Sequence, residues 1–255
     1  MKAWSKIATL ATACGLSVMV GASASIAAEI SVFSGAGPMP EVLGALAPMF
    51  ERASGHKVKL TFKAVPAIVQ DVKQGAGVDL MFADPGVIDG LIKDGAIAAG
   101  SNTRIMLSRV GVAVRKGAAK PNITTADGLK AALVAAKSVG YSQGTSGQHF
   151  LTVIERLGLV DVIKPKAVVV QGRPVGAAVA SGEAEIGVQQ VAELLPVAGI
   201  DLIGPLPGDL QKIIVYAAGV PAKAKEAEGA RAFVRFLASE TAVSKLKEMG
   251  MNPPI

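Results

Sequence analysis

Short apolar, β-rich runs alternate with longer stretches of helical pattern through most of the chain. Ile30 to Phe33 reads as a strand and Pro40 to Ser54 as a helix. Val58 to Phe62, Ala67 to Gln74 and Val78 to Phe82 continue as strand, helix and strand. A helix over Pro85 to Asp94 ends at Gly95, a residue suited to the left-handed cap. Arg109 to Val114 is the next strand, Lys116 to Pro121 a turn, and Thr125 to Ala136 a helix started by Thr124 or Thr125. Strand Ser138 to Tyr141, helix Gly147 to Leu157, strand Ala167 to Val170, helix Pro174 to Ser181 and strand Ile186 to Val188 form a second set. Strand Gln211 to Ala218 and helices Lys225 to Ala238 and Thr241 to Gly250 follow. This alternation is that of parallel βαβ units, and it predicts an α/β protein of two three-layer lobes. No fixed-period repeat is visible and no stretch is polar enough for a disordered linker. The lobes must therefore meet at short crossings, placed near Ser108 and near Pro207 to Gln211. The expected division is residues 29–107 plus 212–255 for the first lobe and 108–211 for the second.

The first residues break the pattern. Lys2 and Lys6 lead into an apolar run from Ile7 to Val20, followed by the small residues Gly21 to Ser25. These are the three parts of a secretory signal peptide, expected over residues 1–28, with the mature chain starting near Ala28 or Glu29. The run is too short for a spanning helix. Cys14, the single cysteine, lies within it, so the mature chain is expected to carry no disulfide, thiolate nucleophile or cysteine-held metal. Without Lys2 and Lys6 the formal charge of +6 falls to +4, a modest balance that favours anionic partners. The basic residues are scattered and aromatics make up 4%, which excludes the interleaved surface of a nucleic-acid binder.

Candidate chemistry sits at strand-to-helix turns. Ser34-Gly35-Ala36-Gly37-Pro38 follows the first strand, where helix amides face an anion, glycines let backbone approach it, and Ser34 adds a hydroxyl. A dinucleotide fingerprint fails there, because Pro40 takes the third glycine position and Lys63 stands where an acidic ribose partner belongs. Tyr141-Ser142-Gln143-Gly144-Thr145-Ser146-Gly147-Gln148 is a second cradle of the same kind, in the other half of the chain. Lys63 after the second strand, Arg109 at the first crossing and Arg173 before the fifth helix could each turn a cation into an interlobe cleft. Alternation sends one of Gln189 and Gln190 toward that cleft, and Gln190 is preferred. Catalysis lacks its usual parts. His56 and His149 have no second ligand at metal spacing, and Asp79 and Asp84 read as a strand edge and a helix cap.

The order of F-S-G-A-G-P (Phe33 to Pro38), G-V-D-L-M-F-A-D (Gly77 to Asp84), V-G-V-A-V-R-K-G (Val110 to Gly117), S-G-E-A-E-I-G-V (Ser181 to Val188) and A-R-A-F-V-R-F-L-A-S-E-T-A (Ala230 to Ala242) resembles type II periplasmic solute-binding proteins, in their molybdate-binding branch. The resemblance covers nearly all of the mature chain. It implies two α/β lobes, an anion site with a first hydroxyl at Ser34, and hinge closure. It also implies departures, since the second hydroxyl falls within Lys63 to Pro66, where serine is missing, and the family tyrosine falls at Gln190.

The resulting expectation is a periplasmic, monomeric protein without cofactor. It captures a small anion, an organic di- or tricarboxylate ahead of molybdate, and passes it to an ABC-type membrane permease. The ligand set is expected to be Ser34, Gly35, Ala36, Lys63, Arg109, Ser142, Thr145, Ser146, Gly147, Gln148, Arg173 and Gln190. An extracytoplasmic ligand sensor docking on a membrane receptor is the alternative, and a secreted α/β hydrolase lacks a histidine base beside Ser34 or Ser146.

Overall fold

The computed structural model describes residues 27–254, so the signal segment expected over residues 1–28 lies almost wholly outside the described residues. In chain order the elements are β1 (Glu29–Ser34), α1 (Met39–Ser54), β2 (Lys57–Phe62), α2 (Val65–Gln74), β3 (Leu80–Ala83), α3 (Pro85–Lys93) and β4 (Thr103–Arg115). The second set comprises α4 (Ala126–Ala135), β5 (Val139–Ser142), α5 (Thr145–Arg156), α6 (Val160–Ile163), β6 (Ala167–Val170), α7 (Val175–Ser181), β7 (Ile186–Gln190), α8 (Val191–Leu194) and β8 (Ile200–Pro205). Then come β9 (Ile213–Gly219), α9 (Ala227–Leu237) and α10 (Glu240–Glu248).

The strands hydrogen-bond in the order β2-β1-β3-β9-β4-β7-β5-β6, with β8 also on β4. β1 pairs with β2 and β3 in parallel, and β5 with β6 and β7, as βαβ units require. Around the first set, Leu43, Leu46 and Phe50 of α1 and Phe233 and Leu237 of α9 pack on one sheet face. The rings of Phe50 and Phe233 lie 4.9 Å apart. On the other face, Ile68 and Val72 of α2 and Ile88 and Leu91 of α3 pack with Met81 and Ala217. The second set repeats the arrangement, with α4, α5 and α6 supplying Leu129, Phe150, Val153 and Ile163 on one face and α7 supplying Val175 and Val179 on the other. Two lobes of three layers result, as the alternation predicts.

Two differences bear on the site. β4 starts at Thr103, well before the predicted Arg109, and runs without a break through the first crossing. Ser108 and Arg109 look like an interruption in sequence, but their backbone is held in the ladder with Ile214 and Ile213 of β9. At Val110 the strand changes partners to Gln190 of β7. The predicted strand at Gln211 begins two residues later, because Gln211 serves as a clasp: its amide accepts from Val110 N–H at 2.9 Å and donates to the Val110 carbonyl at 2.9 Å. β8 is the strand that the pattern did not reveal.

Candidate functional site

The turns after β1, β3, β5, β6 and β7 all open into one cleft of about 1030 Å³. This is where open α/β sheets bind ligands, outside the carboxyl ends of their strands. The C-terminal ends carry short polar or glycine-rich turns because the chain must reverse there into a helix, and each reversal leaves helix N–H groups without intrahelical partners. α1, α2 and α5 begin without a side-chain cap, whereas Asp84 caps α3 by accepting from Gly86 N–H at 2.8 Å.

From the first lobe, Ser34, Gly35, Ala36 and Gly37 line the cleft. The Ser34 side chain is buried, and its Oγ has no hydrogen-bond partner. A buried hydroxyl left unpaired is unfavourable, and a ligand oxygen would satisfy it. Gly37 takes φ +75°, and a Cβ there would stand 3.3 Å from Gln190 Nε2. From the second lobe come Ser142, Thr145 and Ser146, with Arg173 at the turn before α7. Ser142 Oγ accepts from Gly144 N–H at 3.3 Å, leaving its own proton free to donate, and Ser146 is buried. Arg173 is exposed and pairs with Glu183. Gln190 and Gln189 both line the cleft. The two hold different partners, Gln189 the Val175 N–H and Glu193, Gln190 the Tyr216 hydroxyl.

Four expected residues stand elsewhere. Lys63 is drawn sideways to Asp71 at 2.8 Å and lies over the Phe33 ring, 5.0 Å from its centre, so it does not line the cleft. Arg109 lines a separate, smaller hollow with Val191, Leu202, Lys247 and Asn252. β4 is continuous there, and its alternation points residue 109 away from the cleft. Gly147 is a packing residue: a Cβ on it would fall 1.6 Å from the Ser142 carbonyl oxygen. Gln148 is exposed and donates to the Gln143 carbonyl at 3.4 Å.

Tyr216, Glu193 and Glu41 are among the cleft residues that were not anticipated. Tyr216 of β9 lines the floor and donates its hydroxyl proton to Gln190 Oε1 at 3.0 Å. A phenol thus stands beside residue 190 although it comes from a neighbouring strand, and burial pushes its pKa up. Glu193 of α8 accepts from Gln189 Nε2 at 2.8 Å. Burial pushes its carboxyl up to about 7, with hydrogen bonds from Gln189 and Gln190 opposing the rise and nearby Glu41 adding to it. Glu41 also lines the cleft, from the first turn of α1. One tyrosine in a crossing strand, and a glutamate three residues after the end of β7, are the signals that mark these positions in the sequence.

The histidines are held structurally. His56 Nδ1 accepts from Ala28 N–H at 3.1 Å, and His149 Nε2 lies 2.7 Å from the Leu210 carbonyl oxygen. Asp79 accepts from Ser31, Lys225 and Glu226 N–H groups, tying β1 to the start of α9.

A cleft formed by paired strand-to-helix turns between two such lobes is the arrangement of a two-lobed ligand-binding protein. The chain belongs to the bacterial extracellular solute-binding proteins, whose family pattern matches residues 30–252. It is 35% identical over 216 residues to a Pseudomonas protein named aconitate isomerase, covering 82% of each chain. It is 27% identical to the molybdate-binding protein ModA of Azotobacter vinelandii, over 90% of this chain and 92% of that one. Among solved structures, the substrate-binding domain of a putative molybdenum ABC transporter from Clostridium difficile superposes with a TM-score of 0.77 at 18% identity, covering 90% of this chain and all of that one. The architecture is therefore that of the type II periplasmic binding proteins.

Proposed function

We propose that the cleft captures a small organic acid with two or three carboxylates and presents it to a membrane permease of an ABC transporter, outside the cytoplasmic membrane. The observation that carries this reading is the buried, unpartnered Ser34 hydroxyl lining a cleft edged by uncapped helix starts from both lobes. Ser34, Ser142, Thr145, Ser146, Tyr216 and the Gln190 amide are the proposed neutral donors, with Gly35, Ala36 and the first turns of α1 and α5 adding backbone N–H groups and Arg173 at the rim.

Because Lys63 and Arg109 stand outside the cleft, a carboxylate preference cannot rest on them. It rests on two other facts. The donors are spread across a wide cleft, which suits separated carboxylates better than a compact tetrahedral dianion. The 35%-identical relative carries the name of an organic-acid enzyme. The hinge is assigned to the change of strand partners between Arg109 and Val110, together with Gln211, so the lobes divide as residues 29–107 plus 212–255 and 108–211. Ligand bound to both lobes would favour the closed form by its differential affinity. Calorimetric titration with cis- and trans-aconitate and related acids tests this reading. Saturable one-to-one binding of a polycarboxylate supports it, and binding of molybdate alone refutes it.

Glu193 favours a second reading, in which the cleft also isomerises an unsaturated acid. A carboxyl of pKa about 7 is suited to take a proton from a methylene carbon and return one to the other end of the resulting allylic anion, moving the double bond. Proton NMR of cis-aconitate incubated with the protein in deuterated water decides it. Appearance of the trans isomer carrying deuterium establishes catalysis, and an unchanged spectrum with binding intact leaves capture alone.

A further inference from the structure

We propose that the cleft takes up a proton together with its anion, and that Glu193 is the residue that shares this proton with the bound ligand. The proposal rests on the reading of the cleft as an anion site and adds a condition on charge that the neutral donors do not impose.

Glu193 is fixed in the cleft by its surroundings. Its Oε1 accepts from Gln189 Nε2 at 2.8 Å, and Gln189 cannot turn its amide, because its own Oε1 accepts from the Val175 N–H at 2.7 Å. α8 is also clamped from behind. A Cβ on Gly111 would lie 2.8 Å from Val191 Cγ2, and one on Gly250 would lie 3.0 Å from Val191 Cγ1 and 3.3 Å from the Ala192 backbone. The helix has no room to retreat, and Glu193 lines the cleft.

The charged and titratable groups around it offer no counterion. Glu41 faces it from α1 and Tyr216 from β9, while Asp84 of the same cleft caps α3. Arg173 lines the cleft but pairs with Glu183. Behind α8, Arg109 and Lys247 line the separate hollow. An anion placed next to an ionised Glu193 is repelled, whereas a neutral carboxyl can donate to it. Burial already pushes the group up to about 7. A bound anion pushes it higher still, so capture at neutral pH draws in a proton. Holding Gln189 is compatible with this, since only one of the Glu193 oxygens is needed for it.

The test is calorimetric titration of the chain with trans-aconitate in PIPES and in Tris at about pH 6, 7 and 8, with the proton exchange of the free acid itself subtracted at each pH. The expected result is a binding heat that depends on the buffer, with proton uptake approaching one per ligand at the high end and an affinity that weakens up to about tenfold per pH unit above 7. Glu193→Gln should abolish both effects while still binding. Buffer-independent heats with intact binding in the wild-type chain overturn the proposal and leave the anion cleft standing, and this arm needs no variant to fold. Equal proton uptake in Glu193→Gln also overturns it. Absence of binding at about pH 6, where the carboxyl is neutral, overturns the anion reading itself.

Discussion

Tyr216 donates to Gln190 Oε1 at 3.0 Å, joining the crossing strand β9 to the end of β7 on the floor of the cleft. With its oxygen engaged, the Gln190 amide presents Nε2 toward Gly37, so one phenol orients the donor beside a turn of the opposite lobe. Tyr216→Phe should weaken ligand binding by about tenfold, the equivalent of one lost hydrogen bond to a charged group, with a melting temperature changed by only a few degrees. Titration calorimetry on both forms checks this.

Ser34 makes the opposite demand on stability and binding. Its Oγ is buried without a partner, so Ser34→Ala removes an unsatisfied group and should leave the empty protein as stable or slightly more stable. Binding of the anion should fall by about tenfold or more, because the hydroxyl finds its partner only in the complex. Melting curves with and without ligand separate the two effects.

Lys63→Ala and Arg109→Ala should bind ligand as the parent does. Lys63 is held in an exposed pair with Asp71, worth at most about 1 kcal/mol to stability, and Arg109 lines a separate hollow. A loss of binding greater than about threefold in either would return a cation to the cleft.

Much of this arrangement could be read from the residues. The two hydroxyl-rich turns at Ser34 and at Ser142 to Ser146 follow β-rich runs, and strand-end geometry carries both into one cleft. The side-chain directions of single cations were not legible. Lys63 is captured by Asp71, eight residues on along the adjoining helix, and Arg109 is placed by a strand whose start at Thr103 the polar pair at Ser108 conceals. Tyr216 and Glu193 act through partners far away in sequence or across a strand-to-helix change, which no local periodicity encodes.

Glu193 also gives stability a pH dependence of definite sign. Burial pushes its carboxyl up to about 7 in the folded protein from an ordinary 4.5, so between those limits the native state holds more protons than the unfolded chain. Stability should then fall as pH rises from 4.5 to about 7 and lose no more to this group above that range. Melting temperatures across this range should show a shallower slope in Glu193→Gln.

An organic polycarboxylate is the proposed solute. The most direct test is the melting temperature of the chain against cis- and trans-aconitate, citrate and smaller dicarboxylates, beside molybdate, tungstate, sulfate and putrescine. A ligand at about a hundredfold excess over its Kd stabilises the folded form by about 2.7 kcal/mol, or about 5–10 °C for a protein of this size. A shift of that order with a di- or tricarboxylate, and none with the metal oxyanions, is the result predicted; a shift with molybdate and tungstate only, or with putrescine only, contradicts it.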